Sequence, residues 1–81
     1  MKKRSLLIVD DDPGIIRALR RTLDDEGYEL FSAQSGETAL QILERNRVQL
    51  IITDEHMPGM TGTELLAVVR ERYPQIVRIM L

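Results

Sequence analysis

Four aspartates carry the chemistry legible in this chain: Asp10, Asp11 and Asp12 in a row, and Asp54 on its own. Each group follows an apolar run, Leu6-Leu7-Ile8-Val9 before the triplet and Leu50-Ile51-Ile52-Thr53 before Asp54. Runs of this length and branching read as buried parallel strands. Carboxylates at their carboxyl ends then sit where open α/β sheets bind ligands. Ionised carboxylates brought close together push one another's pKa values up or recruit a cation. An oxygen-only donor set, with no His or Cys cluster, suits a hard ion, and Mg²⁺ typically takes one or two carboxylates, keeps several waters and leaves room for phosphate oxygens. An aspartate can also act as a nucleophile and form an aspartyl phosphate. Such phosphoryl transfer demands mainly positioning and charge neutralisation, and Asp54 at a strand end with Mg²⁺ beside it meets both needs.

The elements that must hold these groups follow from local signals. Ser5–Val9 reads as the first strand. Asp12 is a good N-cap and Pro13 suits the first helical position, where no amide hydrogen is needed. The spacing predicts a helix over 13–26 with Ile15, Ile16, Leu19 and Leu23 as its apolar stripe, stopped at Gly27. A loosely alternating strand follows over 28–33. Ser35-Gly36 marks a turn and cap, and a helix over 36–46 turns Ala39, Leu40 and Leu43 inward. The third strand is expected over 48–53. Thr61-Gly62-Thr63-Glu64 has the form of a capping box. It opens a helix over Gly62–Arg72 that buries Leu65, Leu66 and Val69 and ends before Pro74. A fourth strand is expected over 76–81. The βαβαβαβ pattern with short links predicts an α/β fold built on a parallel sheet with right-handed crossovers. Where the second strand lies on one side of the first and the third and fourth on the other, such crossovers put helix one on one face of the sheet and helices two and three on the other. The face shared by helix one is expected to be bare over strands three and four, and exposed apolar sheet favours association. The expectation is a homo-oligomer, or an element swap through that exposed sheet.

Composition narrows the class. At 81 residues the chain holds one small domain. Hydrophobic residues are 43% and charged residues 30%, with both signs interspersed, as in a globular domain. A net charge of -2 leaves no electrostatic footprint for direct nucleic-acid contact or for an anionic membrane. The basic start Lys2-Lys3-Arg4 leads into an apolar run too short for a signal peptide or a membrane span. The absence of cysteine excludes disulfides and thiolate metal sites and fits a reducing cytoplasm.

The two acidic blocks carry a resemblance. Leu7-Ile8-Val9-Asp10-Asp11-Asp12-Pro13 resembles the first strand and acidic pair of response-regulator receiver domains. Leu50-Ile51-Ile52-Thr53-Asp54, followed by Met57-Pro58-Gly59-Met60-Thr61-Gly62, resembles the phospho-acceptor segment of the same family. The intervening Gly36-Glu37-Thr38-Ala39-Leu40 fits as well, so the resemblance runs over nearly the whole chain. It implies a flavodoxin-like sheet of order 2-1-3-4-5 in the full domain, with the site at the switch point between strands one and three. It implies that Asp54 accepts a phosphoryl group from a histidine kinase or phosphotransfer protein in a cytoplasmic two-component phosphorelay. Asp11 then binds Mg²⁺ directly, Asp10 orients it, and Asp54 and the backbone carbonyl of His56 complete the metal ligands. Pro58 and Gly62 shape the loop. The family's hydroxyl residue after the fourth strand would follow Leu81, and its Lys lies after the fifth strand. Residues 1–81 are thus expected to be the N-terminal part of a receiver domain, without the fifth strand and last two helices.

Two other functions compete with the switch. A Mg²⁺-dependent phosphohydrolase with an aspartyl nucleophile would usually carry a second Asp two residues on, where this chain has His56. A non-phosphorylated interaction module would leave Asp10, Asp11 and Asp54 without a task. Single residues also have plainer readings. Asp12 serves as a cap, and the lone His56 side chain lacks the partners of a transition-metal site. The resemblance adds that this side chain can modulate loss of the phosphoryl group. Glu55 stands where the family more often has an apolar residue, and reads as solvent-exposed. Met57 and Met60 read as loop packing, and Arg17, Arg20 and Arg21 as a solvated helix face.

Overall fold

The computed structural model describes residues 4–81, so Lys2 and Lys3 of the basic start lie outside the described residues. The elements run β1 (Ser5–Val9), α1 (Pro13–Asp24), β2 (Glu29–Ala33), α2 (Gly36–Arg45), β3 (Leu50–Thr53), α3 (Gly62–Arg72) and β4 (Val77–Met80). The strands form one parallel sheet of order β2-β1-β3-β4. This is the order expected for the first strands of a flavodoxin-like domain. Pairing sets Val9 beside Ala33 on one side and Thr53 on the other, so the carboxyl ends of the two inner strands are level.

Side-chain alternation along β1 divides the core in two. Leu7 and Val9 pack with Ala39 and Leu43 of α2 and with Leu65 and Val69 of α3. Leu6 and Ile8 pack with Ile16, Leu19 and Leu23 of α1. Leu6 through Val9 are fully buried, as the strand with helices on both faces requires. Burying each of these branched side chains contributes about 1.5–3 kcal/mol.

Several boundaries move by one or two residues, for identifiable reasons. α1 closes at Asp24 rather than Glu26, because the chain tightens into turns from Glu26 N–H to Leu23 and from Gly27 N–H to Asp24. Gly27 takes φ +81°, the left-handed conformation that stops the helix. Val48 and Ile76 are buried, as expected of strand residues, but precede the paired segments of β3 and β4.

Three side chains depart from expectation. Ile15 is 42% exposed, since it is turned about 100° from Ile16 around the helix and leaves the sheet to Ile16, Leu19 and Leu23. Arg20 is not part of a solvated face: its guanidinium donates to Ser32 Oγ on β2 at 3.0 Å. Glu55 is half-buried and hydrogen-bonded rather than free in solvent. On the α1 side of the sheet, Val77 and Ile79 pair beside Leu50 and Ile52 and are 58% and 41% exposed, so the apolar sheet is bare there as expected.

Candidate functional site

The carboxyl ends of β1 and β3 place the acidic groups. Asp10 continues β1 through an N–H bond to the Ala33 carbonyl at 3.1 Å, and its residue is only 5% exposed. Asp54 continues β3 through an N–H bond to the Val9 carbonyl at 3.0 Å. The ladder therefore extends one residue past each strand and sets the two aspartates side by side. Asp11, on the exposed turn between them and α1, completes the group. Carboxylate oxygens of Asp10, Asp11 and Asp54 lie within 4.8 Å of one another. Asp12 is turned to a different task, accepting the Gly14 N–H at 2.8 Å as the N-cap of α1.

The electrostatics follow from this crowding. Burial raises the Asp10 pKa above the ordinary aspartate value, and the negative charges of Asp54, Asp11 and Asp12 raise it further. The Asp12 N–H, donating to Asp10 Oδ1 at 2.9 Å, opposes the rise. A buried carboxylate beside two others is relieved by a cation. Three carboxylates with no nitrogen or sulfur donor fit a hard divalent ion that keeps part of its water shell.

The loop after β3 is built to hold Asp54 still. The Glu55 N–H donates to Asp54 Oδ1 at 2.9 Å, so one carboxylate oxygen is tied to backbone. The Glu55 side chain reaches forward to α3, where its Oε1 accepts both the N–H and the hydroxyl of Thr63 at 2.7 Å. These bonds pull the Glu55 pKa below the ordinary glutamate value. The Glu55 carbonyl accepts the Gly62 N–H at 3.0 Å. Gly62 is required by proximity, because a Cβ there would collide with the Asp54 carbonyl oxygen and lie 3.0 Å from Glu55 Cα. The capping box is present as predicted: Glu64 N–H donates to Thr61 Oγ1 at 3.1 Å, and Thr61 N–H to Glu64 Oε1 at 2.9 Å. Every amide from Thr61 to Glu64 thus has a partner, which removes the desolvation cost of a helix start pressed against the loop.

Methionines complete the loop's packing. Met57 is buried in the α2/α3 core, and Met60 packs over Gly36, whose absent Cβ would meet Met60 Sδ at 2.7 Å. Gly59 holds φ +77°. The His56 side chain is exposed. Among the described residues its carbonyl receives no hydrogen bond.

The sequence matches the response regulator receiver domain family over residues 6–81. The chain belongs to the receiver-domain family. Over 80 residues, 99% of its length, this receiver chain is 45% identical to the hydrogenase transcriptional regulatory protein HoxA of Cupriavidus necator, and it spans 16% of that relative. The chemotaxis response regulator CheY4 of Vibrio cholerae superposes with a TM-score of 0.92 at 36% identity, covering 98% of this chain and 68% of the other. The response regulator TrrA of Thermotoga maritima, solved with Mg²⁺ and BeF, superposes at 0.91 with 35% identity, covering 95% and 67%. The same regulator, solved with the histidine kinase ThkA, gives 0.90, covering 95% and 66%.

The receiver chain brings together Asp10, Asp11 and Asp54, the residues singled out for their type and spacing. The bond between Glu55 and Thr63 had no such signal, since a contact across eight residues of irregular loop has no periodicity to betray it.

Proposed function

We propose that this chain is a phosphorylatable switch of a two-component phosphorelay. Asp54 accepts a phosphoryl group from a histidine kinase or phosphotransfer protein, and Asp10, Asp11, Asp54 and the His56 backbone carbonyl hold Mg²⁺. The observation that carries this reading is the convergence of the three carboxylates within 4.8 Å at the carboxyl edge of the sheet. With Oδ1 of Asp54 engaged by the Glu55 N–H, Oδ2 is the oxygen left to attack phosphorus. As the Oδ2–P bond forms, the P–N bond of the phosphohistidine breaks and its electron pair stays on the imidazole nitrogen. When bound, Mg²⁺ supplies positive charge to the carboxylates and the transferring phosphoryl oxygens. The Asp12 N–H holds the Asp10 carboxylate in place, and Asp11 is exposed to solvent at the rim of the site.

The Mg²⁺–BeF and histidine-kinase complexes of the Thermotoga regulator support the ion and the partner by similarity. Among the described residues no helix is long and apolar enough to cross a membrane. His56 in the place of a second aspartate speaks against the phosphohydrolase. The test is incorporation of phosphate from a small acyl phosphate in the presence of Mg²⁺. Incorporation is expected in the wild type and lost in Asp54→Asn and with EDTA. Undiminished incorporation in Asp54→Asn would refute the assignment, and steady turnover of a phosphomonoester would favour the hydrolase instead.

A further inference from the structure

We propose that Glu55 is a positioning residue for the acceptor, fixing which oxygen of Asp54 is the nucleophile; this rests on the acceptor reading of Asp54. All three polar groups of Glu55 are committed. Its N–H donates to Asp54 Oδ1 at 2.9 Å. Its carbonyl accepts the Gly62 N–H at 3.0 Å. Its carboxylate accepts both the Thr63 N–H and hydroxyl at 2.7 Å. The residue is therefore held by the first two residues of α3 while its own amide holds the acceptor carboxylate. Rotation of the Asp54–Glu55 peptide would break the bond to Oδ1, and the side-chain clamp on Thr63 resists that rotation. Asp54 thus presents Oδ2 in one orientation before any donor arrives. Preset orientation of a nucleophile is a large lever on rate, because small misplacements of reacting atoms are costly. The transfer itself is balanced as above: Oδ2 gains the bond to phosphorus, and the donor's leaving atom keeps the electron pair of the bond that breaks.

The experiment measures the rate of phosphate incorporation from acetyl phosphate, as a small acyl phosphate, over a range of donor concentrations with Mg²⁺ present. Glu55→Ala is expected to lower the maximal rate about tenfold with the half-saturating donor concentration unchanged, the pattern of lost orientation. Glu55→Gln is expected to return to within about twofold of wild type, since an amide oxygen accepts the same two donors. A far-UV circular dichroism melt accompanies each variant. If Glu55→Ala does not fold, Thr63→Val, which deletes only the hydroxyl donor, is expected to lower the maximal rate about threefold. A wild-type maximal rate in folded Glu55→Ala, or in Thr63→Val, would overturn the positioning role while Asp54→Asn remained inert. Loss through Glu55→Gln as severe as through Glu55→Ala would overturn it too. Incorporation that persists in Asp54→Asn, or none in wild type, would overturn the acceptor reading and this inference together.

Discussion

The Asp54 N–H, one residue beyond the last paired residue of β3, donates at 3.0 Å to the carbonyl of Val9, the last paired residue of β1. That bond brings Asp54 beside Asp10, the residue after Val9, and makes two strand ends into one acidic site. The site owes its geometry to the most buried part of the molecule. Leu6 to Val9 and Ile51 are fully buried and set the register from which both carboxylates project.

Mg²⁺ is expected to raise thermal stability through this site. A ligand that binds only the folded state contributes about 2.7 kcal/mol at a hundredfold excess over its dissociation constant. For a domain of this size that amounts to a rise on the order of 10 °C in melting temperature. Circular dichroism melts with and without Mg²⁺ measure it, and the rise should vanish in Asp54→Asn.

Without the ion, Asp10→Asn is expected to stabilise the fold at neutral pH by about 1 kcal/mol, because it relieves a buried like-charge contact and keeps an oxygen for the Asp12 N–H. The pH dependence has a defined sign. The folded-state pKa of Asp10 is raised above its unfolded value, so its protonated form contributes stability that is fully present below about 3.9, the ordinary aspartate value, and lost as pH rises through the folded value. The advantage of Asp10→Asn over wild type should therefore be absent in acid and grow to a plateau at neutral pH. Urea titrations in EDTA at several pH values follow it. A constant difference would contradict the electrostatic cause.

Gly62→Ala should be costly. The added methyl group collides with the Asp54 carbonyl oxygen, so either the loop or the start of α3 must move. A loss of about 1–3 kcal/mol is expected, read from the urea midpoint. Gly27→Ala meets no atom within 4 Å and costs only the strain of a positive φ, about 1 kcal/mol.

Thr61→Ala removes the N-cap of α3 and the acceptor for the Glu64 N–H. The expected loss is about 1 kcal/mol. Thr61→Ser should recover most of it, as the hydroxyl is retained. Equal losses for the two would show that the methyl group, not the cap, matters at this position.

What the chain's order alone determined is local. The apolar runs ending in acid, Asp12 before Pro13, and the four-residue box Thr61 to Glu64 each act through neighbours in sequence, so their bonds and helix starts were readable without a fold. The periodicity of α2 and α3 likewise named Ala39, Leu43, Leu65 and Val69 as core. The order of the strands came instead from the resemblance of the two acidic blocks to receiver domains, since right-handed crossovers fix the hand of each connection and not which strands are neighbours. Only the tertiary structure decided which of three adjacent aspartates is buried. Asp10 lies in the extended ladder and is shielded by it, whereas Asp11 and Asp12 sit on the exposed turn beyond. It also decided that Ile15 faces water while Ile16 packs, that Arg20 crosses to Ser32, and that Glu55 clamps Thr63. Those contacts join segments whose distance in sequence carries no period. Their formation depends on the path of the loop and the depth at which α1 and α3 settle on the sheet, and these are set by packing of the whole core rather than by any one stretch of chain.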